Sequence, residues 1–268
     1  MTKERMISKS FITNNDESNS WFIVPKPNPM ARLRLFCFPY AGGGASIFHA
    51  WANTLPSDIE TVGIQMPGIE SRIMEPPIES ISLVVQTLLS EIYSKCDQSF
   101  VFFGHSLGAL ICFELTRHLK RRYGLQPLHV FVAGIHAPHI LNRKSPIHDL
   151  PETDFLEMLQ GRYSGIPEEI LRNPDILQLV LPGLKASLKM YECYRYQGDE
   201  PLDCGITAFG GSQDKNTLRE DLEAWRLQTK RSFTLHMFPG SHFFINSEQK
   251  QFLRTLSSEL TEIVSHLR

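Results

Sequence analysis

Ser106 stands in the run Gly104-His105-Ser106-Leu107-Gly108. The apolar stretch Phe100-Val101-Phe102-Phe103 precedes it, and Leu110, Phe113, Leu115 and Leu119 follow at helical spacing. A serine in Gly-x-Ser-x-Gly between a strand and a helix occupies a strained turn that thrusts its hydroxyl out of the sheet. Glycines two residues to either side keep Cβ atoms away where strand and helix nearly touch. The chemistry open to such a hydroxyl is attack on an acyl carbonyl, with the Leu107 N–H at the helix N-terminus offered to the oxyanion. The pattern alone arises by chance in roughly one chain of this length in ten, so the flanking strand and helix carry much of the argument.

A serine hydroxyl is nearly inert at neutral pH and needs a base, and the base needs an orienting group. In a strand–helix alternating chain with this turn, the expected order is Ser, then Asp or Glu, then His. Asp214 follows a strand at 205–209 through Gly210-Gly211-Ser212-Gln213, and His242 follows a strand at 233–238 through Pro239-Gly240-Ser241. His242 is read as the general base and Asp214 as its orienting acid. Asp203 is the rival acid but precedes its strand, at the wrong end of the sheet. His139 and His148 come before Asp214, against the order; His236 lies inside a strand; and His105 is read as packing, pointed away by the turn. A second oxyanion donor is expected after the first strong strand, at Ala41 in Pro39-Tyr40-Ala41-Gly42-Gly43-Gly44, with Gly42 the neighbouring alternative. A phosphate loop there is disfavoured, since neither Gly-Lys-Ser/Thr nor a Gly-x-Gly-x-x-Gly register follows.

The elements that must position these residues alternate. Strands are expected at 33–38, 60–65, 100–103, 128–133, 205–209 and 233–238, with helices at 48–55, 78–93, 109–123, 218–228 and 247–267. This predicts a largely parallel sheet covered on both faces, whose ligand site lies at the carboxyl ends of the strands. The alternation breaks between about 145 and 197, where helical patterns at 154–159, 167–171 and 174–191 predict a lid, its last helix broken near Pro182-Gly183. The first 20 residues are polar and are expected to be a flexible tail, leaving a single domain over 21–268.

Bulk properties exclude several classes. The formal charge of −2 over 268 residues, with no basic stripe, argues against a nucleic-acid partner. No apolar run reaches the length of a membrane span and no signal-peptide core opens the chain, so a cytoplasmic protein without membrane contact is expected. The five cysteines lack paired spacing and the ten histidines do not cluster as ligands, so neither a metal nor a bound cofactor is expected.

Several separated segments together resemble a known family, the type II thioesterases that accompany polyketide synthases and nonribosomal peptide synthetases. They are Phe38-Pro39-Tyr40-Ala41-Gly42-Gly43, Pro67-Gly68 with Glu70 and Arg72, Gly104 to Ala109, and Ala137-Pro138. Tyr194-Arg195-Tyr196, Pro201-Leu202-Asp203-Cys204, Trp225 and Phe238-Pro239-Gly240-Ser241-His242-Phe243-Phe244 complete the set. The resemblance implies an α/β-hydrolase fold; separately, a monomer is expected. The resemblance also implies hydrolysis of acyl thioesters from the phosphopantetheine arm of acyl or peptidyl carrier proteins, clearing mischarged or stalled synthases. Two positions depart from the family pattern: Ile69 stands where arginine is usual, and Ser187 where aspartate is usual. A carboxylester hydrolase, a small-molecule acyltransferase and a catalytically silent binding module are the competing readings.

Overall fold

The computed structural model describes residues 21–163 and 166–267, so the tail expected at 1–20 lies outside the described residues. The strands are β1 (Phe22–Ile23), β2 (Leu33–Phe38), β3 (Ile59–Ile64), β4 (Phe100–His105), β5 (His129–Ala133), β6 (Gly205–Gly211) and β7 (Phe233–Phe238). They form one sheet in the order β1-β3-β2-β4-β5-β6-β7. Only β1 runs antiparallel, against β3; the other neighbouring pairs are parallel. This is the mostly parallel sheet that the alternating pattern predicts.

Strand period 2 decides which side chain goes to which face. In β2, Leu33, Leu35 and Cys37 join Val101 and Phe103 of β4 in one core. Phe36 and Phe38 join Phe100 and Phe102 in the core on the other side. The first core is closed by Phe252, Leu253, Leu256 and Leu260 of α8 (Gln249–Ser265), which follows the short α7 (Phe244–Ser247). The second is closed by α1 (Ile81–Tyr93) and α2 (Leu107–Tyr123), through Val84, Leu88, Leu110 and Leu115 among others. Each buried aromatic or aliphatic side chain contributes roughly 1.5–3 kcal/mol, which makes the two-sided sheet the rigid base of the molecule.

Three helices lie between β5 and β6: α3 (Glu152–Tyr163), α4 (Glu168–Leu171) and α5 (Pro174–Glu192). They carry a third, smaller core built on Ile147, Phe155, Leu159, Leu181 and Leu188. Helix α6 (Arg219–Glu223) and a 3-10 turn at Ala224–Gln228 fill the last crossover. No helix among the described residues is long and apolar enough to cross a membrane.

Two local expectations are corrected and one strand is added. The segment at 48–55 is not an α-helix but two 3-10 turns, Ala45–Phe48 and Trp51–Asn53. Phe48 and Trp51 are held by edge-on packing against Phe103, at 6.2 and 4.9 Å, and so close a grip suits single turns better than a continuous helix. Helix α5 does not break at Pro182. Pro182 lies exposed, so its missing hydrogen bond costs no buried polar group, while Leu177, Leu181 and Leu188 hold the helix down on both sides of it. The strand β1 was not expected at all, being two residues long and framed by a proline-rich stretch.

Candidate active site

The turn between β4 and α2 is as strained as its spacing predicts. Ser106 has φ 54° and ψ −118°, a left-handed conformation rare outside glycine. Its N–H is fixed by the Ala133 carbonyl at 2.7 Å. A Cβ on Gly104 would collide with the Gly108 carbonyl and the Ala109 nitrogen. A Cβ on Gly108 would lie 2.6 Å from the Phe38 carbonyl carbon and 2.7 Å from the Pro39 oxygen. The two glycines therefore let the turn close on itself and let the loop after β2 pass against it. The Leu107 N–H belongs to the first turn of α2, where a helix provides no acceptor. The Ala41 N–H makes no backbone hydrogen bond among the described residues, while Gly43 N–H donates to the Tyr40 carbonyl at 2.9 Å and shapes that turn.

The ends of β6 and β7 bring Asp214 and His242 together. Backbone bonds stitch the two loops: Ser212 N–H donates to Phe238 O at 2.7 Å and Gln213 N–H to Gly240 O at 2.9 Å. Gly240 takes φ 96° to make its turn. His242 Nδ1 then lies 2.9 Å from Asp214 Oδ2, with both side chains buried. The other carboxylate oxygen accepts the Asn216 N–H at 2.7 Å, which orients the acid. An imidazole held in this way presents Nε2 as the free base. Ser106 and His242 line one cavity with Ala41, with no hydrogen bond between the two side chains; such bonds commonly tighten only around substrate.

The cavity is small, about 50 Å³, and is roofed by Leu159 and Tyr163 of α3 and by Leu184, Leu188 and Tyr191 of α5. Burial pushes the Tyr163 hydroxyl up to about 12, so it stays protonated beside His242, its ring 5.3 Å away. A larger hollow of about 450 Å³ along α1 and α2 contains none of these groups, so size alone does not find the site.

The rival residues are engaged elsewhere. His139 Nδ1 pairs with the Gln228 amide at 2.8 Å, His148 with Glu192 at 2.5 Å, and His236 with Glu259 at 2.8 Å. Asp203 is bound by Lys120. His105 is more than the packing residue its position suggests. Its Nε2 lies 2.9 Å from the His242 carbonyl oxygen, and its ring packs against His242, Tyr40, Phe243 and Phe244. Burial first, and the neighbouring His242 second, hold its pKa well below the usual imidazole range. The neutral ring therefore donates from Nε2, leaving Nδ1 buried without a partner. Nothing local in the sequence signals this bond, which spans from the end of β4 to the loop after β7.

The departures from the family pattern lie together at helix α5. Ile69 is buried, its Cδ1 2.8 Å from where a Cβ on Gly183 would stand. Ser187, one turn further along α5, donates to the Gly183 carbonyl at 2.7 Å.

Comparison with known proteins gives a consistent answer. The family described as Thioesterase domain matches residues 33–260. The gramicidin S biosynthesis protein GrsT of Aneurinibacillus migulanus is 40% identical over 92% of this chain and 96% of its own. A protein named linear gramicidin dehydrogenase LgrE, from Brevibacillus parabrevis, is 42% identical over 90% of this chain and 92% of its own. Among solved structures, the type II thioesterase BorB from the borrelidin biosynthetic cluster superposes with a TM-score of 0.80 at 27% identity, covering 90% of this chain and 96% of that one.

Proposed function

Because this chain belongs to the thioesterase domain family, we propose that it releases acyl groups from the phosphopantetheine arm of acyl or peptidyl carrier proteins, editing mischarged or stalled synthases. It is a thioester hydrolase of the α/β-hydrolase fold. The carrier partner is inferred from relatives such as GrsT, named for gramicidin S biosynthesis, and BorB, named as a type II thioesterase from the borrelidin biosynthetic cluster. The dehydrogenase in LgrE's name belongs to LgrE. Hydride transfer from a dinucleotide calls for a Gly-x-Gly-x-x-Gly helix start, and Gly42-Gly43-Gly44 here opens no such register.

The residues take these roles. As Ser106 Oγ attacks the acyl carbonyl carbon, its proton passes to His242 Nε2, and Asp214 stabilises the imidazolium through Nδ1–H. The Leu107 and Ala41 N–H groups receive the negative charge that develops on the carbonyl oxygen. The C–S bond breaks, His242 returns the proton to the departing pantetheine sulfur, and Ser106 holds the acyl group as an ester. His242 then takes a proton from water, the hydroxide attacks that ester, and the acid leaves as Ser106 is reprotonated. No step uses a bound cofactor, since the arm travels with the substrate. Helices α3 to α5 serve as the lid of a single domain, which works as a monomer in the cytoplasm beside its synthase.

The observation that carries this reading is the buried His242–Asp214 pair, 2.9 Å apart, over the same cavity as the strained Ser106. The experiment is acid release from acyl-loaded carrier by the purified protein. Wild type turns over and Ser106→Ala does not; equal release by both, or preference for matched oxygen esters, overturns the proposal.

A further inference from the structure

Beyond Leu184 the Ser106 cavity has a neighbour that the chemistry above leaves unused. A cleft of about 370 Å³ runs between the Gly42–Gly44 loop, the turn at 69–73 and helices α4 and α5. It shares Tyr40, Ala41, Ile166 and Leu184 with the Ser106 cavity. Leu184 is the partition. Its Cδ1 lies 2.6 Å from where a Cβ on Gly42 would stand, so the side chain rests directly on the glycine loop between the two spaces.

The volumes set the problem. A space of about 50 Å³ accepts only a few water-sized groups, hence a short acyl group at most. The cleft beyond is several times larger. Its walls are mainly aliphatic, with Ile47, Ile69, Ile73, Ile170 and Val180 beside Leu184, and its polar part comes from Ser46, Glu70 and the glycine backbone at 42–44 and 68. Its one carboxylate, on Glu70, is already taken up by Ser46, whose N–H donates at 3.2 Å and whose hydroxyl donates as well. A pantetheine arm brings two amides and a phosphate. Amides lying along the aliphatic side formed by Ile69, Ile73, Ile170, Val180 and Leu184 would go unpaired, and Glu70 would repel the phosphate. A hydrocarbon chain meets neither cost.

We propose that this cleft is a second acyl compartment and that Leu184 is its gate, setting how long an acyl chain Ser106 can release. The proposal rests on the thioesterase reading and names the part of the substrate that the cleft takes. A two-carbon group fits beside Ser106 with Leu184 in place, whereas a ten-carbon chain passes Leu184 and runs along Val180 and Ile170. Leu184 and Val180 are both partly exposed, so changing either leaves the main cores intact.

The test measures kcat/KM for two-, six- and ten-carbon acyl groups, each on carrier protein and on N-acetylcysteamine, which lacks most of the arm. Leu184→Ala raises the ten-carbon to two-carbon ratio about tenfold or more, and Val180→Phe lowers it by a similar factor, on both carriers of the acyl group. Ratios unchanged in both folded variants overturn the proposal. So does an effect seen only with carrier protein and equal at every chain length, which would assign the cleft to the pantetheine arm. Calorimetric binding of decanoic acid to wild type and Val180→Phe separates this proposal from its premise. If no thioester is hydrolysed but Val180→Phe still weakens decanoate tenfold, the compartment stands and the thioesterase reading falls; equal binding by both proteins removes the compartment.

Discussion

Gly108→Ala places one methyl group where the turn after β4 meets the loop after β2. The new Cβ would lie 2.6 Å from the Phe38 carbonyl carbon and 2.7 Å from the Pro39 oxygen, inside the distance real Cβ atoms keep. Relief requires one side to give by roughly 0.5–1 Å. Helix α2 is anchored through Leu110, Leu115 and Leu119, all fully buried, so the side that moves is the end of β2 at Phe38, whose carbonyl is the nearest group, with the Pro39–Ala41 loop that continues it. That loop carries the Ala41 N–H assigned to the oxyanion. Losing one such donor lowers kcat by about 10²–10³, or roughly 2.7–4 kcal/mol of transition-state stabilisation. The expected result is therefore a fall in kcat of that size with KM little changed, read with an acyl-coenzyme A and a thiol-trapping dye. Gly161→Ala is the control. It lies on α3 with nothing within 4 Å of the added methyl, and is expected to leave kcat unchanged and to raise stability by about 0.5–1 kcal/mol. A Gly108→Ala enzyme that stays folded with kcat within threefold of wild type would refute the reasoning, since either the loop did not move or it carries no donor.

Asp214→Asn should keep the Asn216 N–H bond yet favour the wrong His242 tautomer, lowering kcat by about 10⁴ with little change in melting temperature; steady-state rates and a thermal melt check both halves. His105→Phe retains the ring packing but leaves the His242 carbonyl without its buried donor, and should cost about 1–3 kcal/mol in urea unfolding together with a loss of kcat. His129 has its pKa lowered to about 4, chiefly by burial, with Glu259 opposing. A histidine depressed below its unfolded value of 6.5 lets the unfolded chain bind the proton first, so stability is complete above about pH 6.5 and declines as pH falls toward 4. Urea midpoints at pH 7 and pH 5 should differ, and His129→Gln should narrow that difference.

What was legible in the sequence was whatever a strand end and a glycine turn announce locally. Ser106, Asp214 and His242 each stand at or just after a strand end with a glycine within a few residues, and a parallel sheet gathers such ends on one side. The sheet itself was legible because strand and helix patterns alternate along the chain, whereas the split of β2 and β4 between two cores was not, both faces being mostly apolar. Pro182 misled because a breaker acts locally, whereas α5 is held by tertiary packing on both sides of it. The role of His105 was hidden for the opposite reason: its partner is a main-chain carbonyl, which no side-chain pattern records. The division of the space over Ser106 by Leu184 was hidden too, since it needs the crossing of α5 over the Gly42 loop.

That crossing also bears on the two departures from the family pattern. Arginine is usual at position 69 and aspartate at 187, and here both charges are missing together. Ile69 Cδ1 reaches 2.8 Å from the notional Gly183 Cβ, and Ser187 is bonded to the Gly183 carbonyl one helical turn on, so the two side chains converge on one residue of α5. Both are buried, at 7% and 5% exposure. An arginine placed there alone would lack a carboxylate, and an aspartate alone would lack a cation; removing one member of a buried pair costs about 3–5 kcal/mol. Hydrophobic packing with a self-satisfied serine is the other stable solution, and it is the one this chain adopts. Ile69→Arg and Ser187→Asp should thus each destabilise the protein singly, while the double variant recovers part of the loss, with a coupling of about 1–3 kcal/mol in a double-mutant cycle of urea unfolding. Additive losses would mean that the two positions do not meet, and that the missing charges have separate causes.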